Sequence, residues 1–272
     1  MADNTISIPV KRKLEGKEFY DNRTDKALKA YQDEGFEAQF MPSIADTRIE
    51  AEKDARIWQT WYSAPSVRAT GRGKSTNLSH KGGTEFVVYA HIPNYFSNPN
   101  NIETAISQGL INGAGIMPQN ELQRLLDLED NKHVFVIDYN TLRNSSSEVI
   151  PLKKALKHPQ TIPFLSGKER AEKYLDRHNE VYGNQIGIWH SDDLSDKPVG
   201  RLLYVGGNCN CGGGLSGGNS LNINARFIGV HGAEGASQKI VPSKEQLINI
   251  INEYIATVNK DDVTKRISAL YQ

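Results

Sequence analysis

Four apolar runs in this sequence end on a side chain that can ionise: VVYAH at His91, VFVID at Asp138, GIWH at His190 and FIGVH at His231. Asp192 and Asp193 follow His190 almost at once. Short runs rich in β-branched and aromatic residues read as strands. In open α/β sheets, ligands gather at the carboxyl ends of strands, where loops surround a crevice. Parallel strands would therefore bring His91, Asp138, His190 and Asp193 together. Imidazole with carboxylate is a donor set for zinc, manganese or iron. Imidazole also titrates near neutral pH, which suits general acid–base work. The leading expectation is a small soluble enzyme, a metal-assisted hydrolase, with His91, Asp138 and His190 catalytic and a divalent metal ion on His190 and Asp193. The plainer alternative is that polar residues end strands because loops begin there. In an antiparallel sheet half of these groups would lie at the opposite end.

A second feature is VGGNCNCGGGLSGGNS, residues 205–220, which holds seven glycines and both cysteines of the chain. Glycine-rich loops cradle phosphate when a helix follows directly, but here the loop runs into SLNINARFIGV, a strand pattern. Cys209 and Cys211 are spaced C-x-C, without the second pair or the C-x₂₋₄-C spacing of structural zinc sites. The expectation is a flexible hairpin loop, able to act as a lid over a site. ATGRGKST ends like a P-loop, but the first glycine of that pattern falls on Arg68 and no helix follows, which removes a nucleoside triphosphatase. A basic loop with Arg68, Arg72, Lys74 and Lys81 is what remains.

The segments YAHIPN…NIETAISQGLI and FLSGKERAEKY resemble parts of ADP-ribosyltransferase domains. That resemblance implies NAD as cofactor, held by a strand-borne histidine, here His91, with Glu234 and Glu245 as acidic candidates. A third class is a noncatalytic protein-interaction module. Trp58 and Trp61, with Tyr95 and Phe96, supply aromatic area of the kind that anchors interfaces.

The elements that would position these residues read as follows. RTDKALKAYQDEGF is a helix, with Thr24 as N-cap and Gly35 as its stop. A longer helix begins near Ser43, because Ala51, Ala55, Trp58 and Tyr62 share one helical face, and Pro65 ends it. From Thr84 onward strands EFVVYAH, HVFVIDY, QIGIWH, RLLYVG and ARFIGVH alternate with helices such as NELQRLLDLED and SGKERAEKYLDRH, the latter opening on a Ser166–Glu169 capping box. The strands flanking the glycine-rich stretch have no helix between them and read as antiparallel neighbours. The fold class is α/β or α+β: a mixed β-sheet with flanking helices, preceded by a helical N-terminal region over 1–83 and followed by two C-terminal helices within an 84–272 domain.

Composition adds bounds. The 272 residues carry 32 Lys plus Arg against 32 Asp plus Glu. With no net charge there is no general field for nucleic acid or anionic membrane. Mean hydropathy is −0.53. No stretch approaches the ~20 apolar residues of a bilayer span, and MADNTISIPVKRKLEG has no apolar signal-peptide core. The expected location is the cytoplasm.

Overall fold

A computed structural model describes residues 5–8, 14–75, 77–80, 82–207 and 213–230. The strands are β1 (Thr5–Ile8), β2 (Leu14–Asp21), β3 (Glu37–Ala38), β4 (Tyr62–Arg72), β5 (Glu85–Ala90), β6 (Gly115–Ile116), β7 (Val134–Asp138), β8 (Glu148–Pro151), β9 (Gln185–Trp189), β10 (Val199–Val205), β11 (Gly214–Ser216) and β12 (Ala225–Val230). The helices are α1 (Thr24–Asp33), α2 (Met41–Glu50), α3 (Arg56–Gln59), α4 (Pro99–Gln108), α5 (Gln119–Asp127), α6 (Tyr139–Arg143), α7 (Leu152–Ala155), α8 (Thr161–Phe164) and α9 (Lys168–Tyr182). The described residues fall within one compact unit, Met1–His231. The two helices expected near the C-terminus, with Glu234 and Glu245, lie outside the described residues, as do Lys81, Cys209, Cys211 and His231.

The architecture is α+β with mixed sheets. One sheet runs β1-β2-β12-β3; the larger runs β7-β5-β4-β10-β11-β9-β8, with β6 against β10. Only β11 and β9 pair in parallel among the described strands. The period-2 alternation of β5 divides the core: Val87 and Tyr89 face one apolar cluster, with Trp58, Tyr174 and Leu203, and Phe86, Val88 and Ala90 face the other, with Phe96, Leu122 and Phe227. Helices with an apolar stripe cover these faces. In α5, Leu122, Leu125 and Leu126 are buried as the spacing predicts. Gly109, at φ 93°, closes α4 in the left-handed region that favours glycine.

The structure departs from the sequence reading at several elements. The long helix expected from Ser43 is α2 and α3, followed by the buried strand β4, so the region 1–83 carries four strands among its helices. Pro65 does not end a helix. It sits in β4 where the register slips from Leu202↔Val67 to Leu203↔Ala64, an irregularity that leaves Pro65 and Ser66 outside the pairing and removes the need for a proline N–H. The flanks of the glycine-rich stretch are not partners. β10 pairs with β4 and β11, whereas β12 joins the other sheet beside β2. The Ser166–Glu169 box does not form: Gly167 caps α9 without a side-chain bond, and the Ser166 hydroxyl donates to the Lys132 carbonyl.

Candidate functional site

Antiparallel pairing separates the ionisable strand ends. β5 runs against β7, so that Ala90 faces Val134 and Asp138 faces Phe86; His91 and Asp138 therefore sit at opposite ends of their pair. His91 is buried. Its Nε2 donates to Pro163 O (2.8 Å), and its Nδ1 accepts from the Ser66 hydroxyl (3.0 Å), which itself accepts the Met41 N–H (2.9 Å). This chain ties α8, β4 and α2 together and occupies both ring nitrogens. Burial pushes the imidazole down to about 4, so the ring is neutral at physiological pH. Asp138 caps α6 by accepting the Thr141 N–H at 3.1 Å. His190 lines a different cavity from His91, together with Arg68, Tyr139 and Asp192.

Asp193 is buried between two arginines. Its Oδ2 accepts from Arg68 Nη1 (2.7 Å) and Arg201 Nε (2.8 Å), and its Oδ1 from Arg201 Nη2 (2.8 Å). A metal ion on this carboxylate would have to displace a guanidinium. Among the described residues, no group of three or more His, Cys, Asp or Glu is placed to hold a metal ion. The residues present do not fit a metal centre on His190 and Asp193.

A different surface gathers the features of a binding site. Tyr204 on β10 faces Ser63 on β4. Tyr62, Ala64, Leu203 and Val205 point into the core. Strand alternation therefore turns Trp61, Ser63 and Tyr204 to the other side. The Trp61 and Tyr204 rings stack at 5.3 Å with 29° between planes. Tyr20 on β2 meets Trp61 edge-on at 6.1 Å and is 50% exposed. Arg226, opposite Tyr20 in the β2–β12 register, lies 5.1 Å over Tyr20 and 5.3 Å over Trp61. Beside the rings, Thr24, Ser63, Asn219, Ser220, Ile223 and Asn224 line a shallow crevice that also touches Tyr204.

Two buried charges hold this patch from below. The Glu18 carboxylate accepts from Arg56 (2.7 and 2.6 Å), the Tyr62 hydroxyl (2.6 Å) and Arg226 (2.8 Å). Burial raises its proton affinity, but the bonds from Arg56, Tyr62 and Arg226 outweigh burial and keep the group below the usual glutamate range. Arg48, fully buried, donates to Ile57 O, Thr60 O, Gly206 O and the Tyr174 hydroxyl. It thus fixes the backbone beside Trp61 and the first glycine after β10. Burial pushes the Tyr204 hydroxyl up to about 12, and the charges of Arg48 and Arg226 pull it only partly back, so it remains a neutral donor and acceptor.

The glycine-rich stretch is not a free loop throughout. Residues 213–217 are buried, with Gly214–Ser216 forming β11 between β10 and β9. Gly207 packs against Thr60 so closely that a Cβ would stand 2.5 Å from the Thr60 carbonyl carbon. Of the patch residues, Trp61 stood out in the sequence as an interface anchor, though on a supposed helix. Tyr204 and Arg226 gave no signal there beyond their place in short strands, and Tyr20, in a region read as helical, gave none.

No protein-family model matches the chain, and no curated protein does. A solved structure concerned with the accommodation of massive sequence variation in Nanoarchaeota by the C-type lectin fold is similar to it, with 52% identity and a TM-score of 0.73, over 80% of this chain and 98% of that one. This finding overturns the metal-assisted hydrolase, and the hydrolase and metal-binding expectations go with it, since the fold neighbour points to a binding module and the described residues hold no metal cluster. It likewise displaces the NAD-dependent ADP-ribosyltransferase reading, whose key residue His91 is consumed by interior hydrogen bonds. With that identity and coverage, the chain belongs to the family of C-type-lectin-fold proteins.

Proposed function

We propose that the chain is a noncatalytic binding module that grips a protein partner through Tyr20, Trp61, Tyr204 and Arg226, extended by residues 219–224. The observation that carries this reading is the stacked Trp61–Tyr204 pair under Arg226, presented beside a segment rich in Gly, Asn and Ser. Tyr and Trp offer large, rigid contact area at low entropic cost, with Ser, Gly and Asn as adaptable hydrogen-bonding neighbours; this is the composition of antibody paratopes. The related Nanoarchaeota structure concerns massive sequence variation within one fold. The division of labour here suits such variation: Arg48, Glu18 and the Arg68–Asp193–Arg201 group fix the backbone from inside, while Asn222, Ile223 and Asn224 are exposed. No helix among the described residues is long and apolar enough to cross a membrane, and a cytoplasmic location forms part of the proposal.

The test is an array of folded proteins and glycans probed with the labelled chain. Each interaction found is measured again with the double variant Trp61→Ala/Tyr204→Ala and with Lys153→Ala/Lys154→Ala on exposed positions of α7. Hot-spot aromatics contribute about 2 kcal/mol or more each, so the first variant should lose at least tenfold in affinity and the second should match wild type. Equal binding by both variants would remove the aromatic patch as the site, and hits confined to glycans would replace the protein partner.

A further inference from the structure

A second concave site shares no residue with the aromatic patch. It is a cavity of about 350 Å³, with Arg68, Tyr139, Arg143, His190, Ser191 and Asp192 in its wall. That volume lies at the lower end of the roughly 300–1,000 Å³ typical of small-molecule sites. We propose that this cavity binds a small free carboxylate.

The charge balance points to an anion. Arg68 and Arg201, each 1% exposed, share the single carboxylate of Asp193, so the buried group keeps one positive charge in excess. Arg68 Nη1 and Nη2 are committed to Asp193, Gly217 O and Ser191 O, so its charge acts on the cavity through its field rather than through a free donor. At the rim, Arg143 and Asp192, both 58% exposed on their side chains, approach only to 3.5 Å. Arg143 therefore has most of its planar donor fork free, the geometry that carboxylates match.

The cavity already accommodates one carboxylate. Asp192 accepts the Tyr139 hydroxyl and sits against Arg143. A ligand carboxylate can take over both partners while Asp192, already more than half exposed, turns to solvent. His190 stays neutral at physiological pH: burial lowers its affinity for protons and the charge of Arg68 lowers it further, to about 4. It therefore offers the ligand a polar but uncharged wall. No covalent step is involved, and the proposal does not depend on the role of the aromatic patch.

Acetate, succinate and glutamate, titrated separately into the full chain, test this, with inorganic phosphate as a second anion and glycerol as a neutral control. The readout is the His190 ring signal in heteronuclear NMR, backed by calorimetry. At least one carboxylate should shift that signal saturably. Arg143→Ala, a change at an exposed side chain, should weaken the binding about tenfold, the scale of one charge-assisted hydrogen-bond pair. Asp192→Asn should strengthen it, because the internal competitor loses its charge. Circular dichroism of both variants checks that the fold is intact. The proposal is overturned by no saturable shift with any of the three carboxylates, by equal affinity in Arg143→Ala, by Asp192→Asn binding no tighter than wild type, or by phosphate binding as tightly as the best carboxylate.

Discussion

Arg48 Nη1 donates a 2.8 Å hydrogen bond to the carbonyl oxygen of Gly206, joining the core of α2 to the point where the glycine-rich segment leaves β10. The same guanidinium holds Ile57 O and Thr60 O at 3.0 and 2.9 Å and lies 5.1 Å over the Trp58 ring. Arg48→Ala removes the donors for three carbonyls at once, and Arg48→Lys cannot reach all of them. The alanine variant is predicted to lose about 3–5 kcal/mol, as expected when buried charged hydrogen-bond partners are deleted. Urea unfolding measures it, and a loss under about 1 kcal/mol would mean that the carbonyls find other partners readily.

Gly207 provides a steric counterpart. A Cβ there meets the Thr60 backbone at 2.5 to 2.8 Å, and backbone atoms cannot swing aside as a side-chain end would. Gly207→Ala is expected to cost about 2 kcal/mol and to shift the Trp61 environment, read by tryptophan fluorescence. Gly35→Ala is the control: φ is 76° but nothing lies within 4 Å, so only backbone strain of about 1 kcal/mol applies. Equal losses at the two positions would show that the Thr60 contact yields easily.

How much of this was legible follows from where each signal is stored. β5, β7, β9, β10 and β12 are short apolar runs, and periodicity found them. Strand direction is set by partners far along the chain, so nothing local revealed that β5 opposes β7 and parts His91 from Asp138. The helical spacing of Ala51, Trp58 and Tyr62 misled because all three do reach one core, but from the turn after α2, from α3 and from β4 respectively. The patch was half visible: Trp61 was marked as an anchor, while its stacking on Tyr204 depends on the β4–β10 register, and Arg226 reaches it only through pairing between Tyr20 and β12. The metal reading mistook Asp193 because the sequence does not show that Arg68, in an apparent loop, is the middle of a buried strand.

Acid should weaken the fold before most carboxylates titrate. His91 has an ordinary imidazole value of 6.5 once unfolded and about 4 in the native chain, lowered chiefly by burial. Below pH 6.5 the unfolded chain takes up a proton that the native one refuses, so stability falls from about pH 6.5 to pH 4 and then levels off for this group. His158 and His190 are also lowered by burial and act in the same direction. His91 alone accounts for about 3 kcal/mol by pH 4. Glu18, held below its usual value, adds a further loss as pH drops below 4.5. Urea unfolding at closely spaced pH values reads the slope. His91→Gln should flatten it between pH 6.5 and 4, and an unchanged slope would exclude His91 as its main source.

Asp193→Asn separates the ion group from any metal centre. In the structure the carboxylate is the single anion between Arg68 and Arg201, with donor distances of 2.7 to 2.8 Å. The amide is nearly isosteric but neutral, and its NH₂ group faces guanidinium donors, so two buried cations lose their counter-charge together. The expected loss is about 3–5 kcal/mol, the range for breaking a buried ion pair from one side. A metal-ligand role for Asp193 would also predict destabilisation, so this result does not discriminate by itself. The chelator arm does: the wild-type chain dialysed against EDTA should melt within about 1 °C of the untreated chain, because an ion group internal to the protein owes nothing to a metal. A melting point that falls on chelation and returns with added zinc or manganese would defeat the ion-group account.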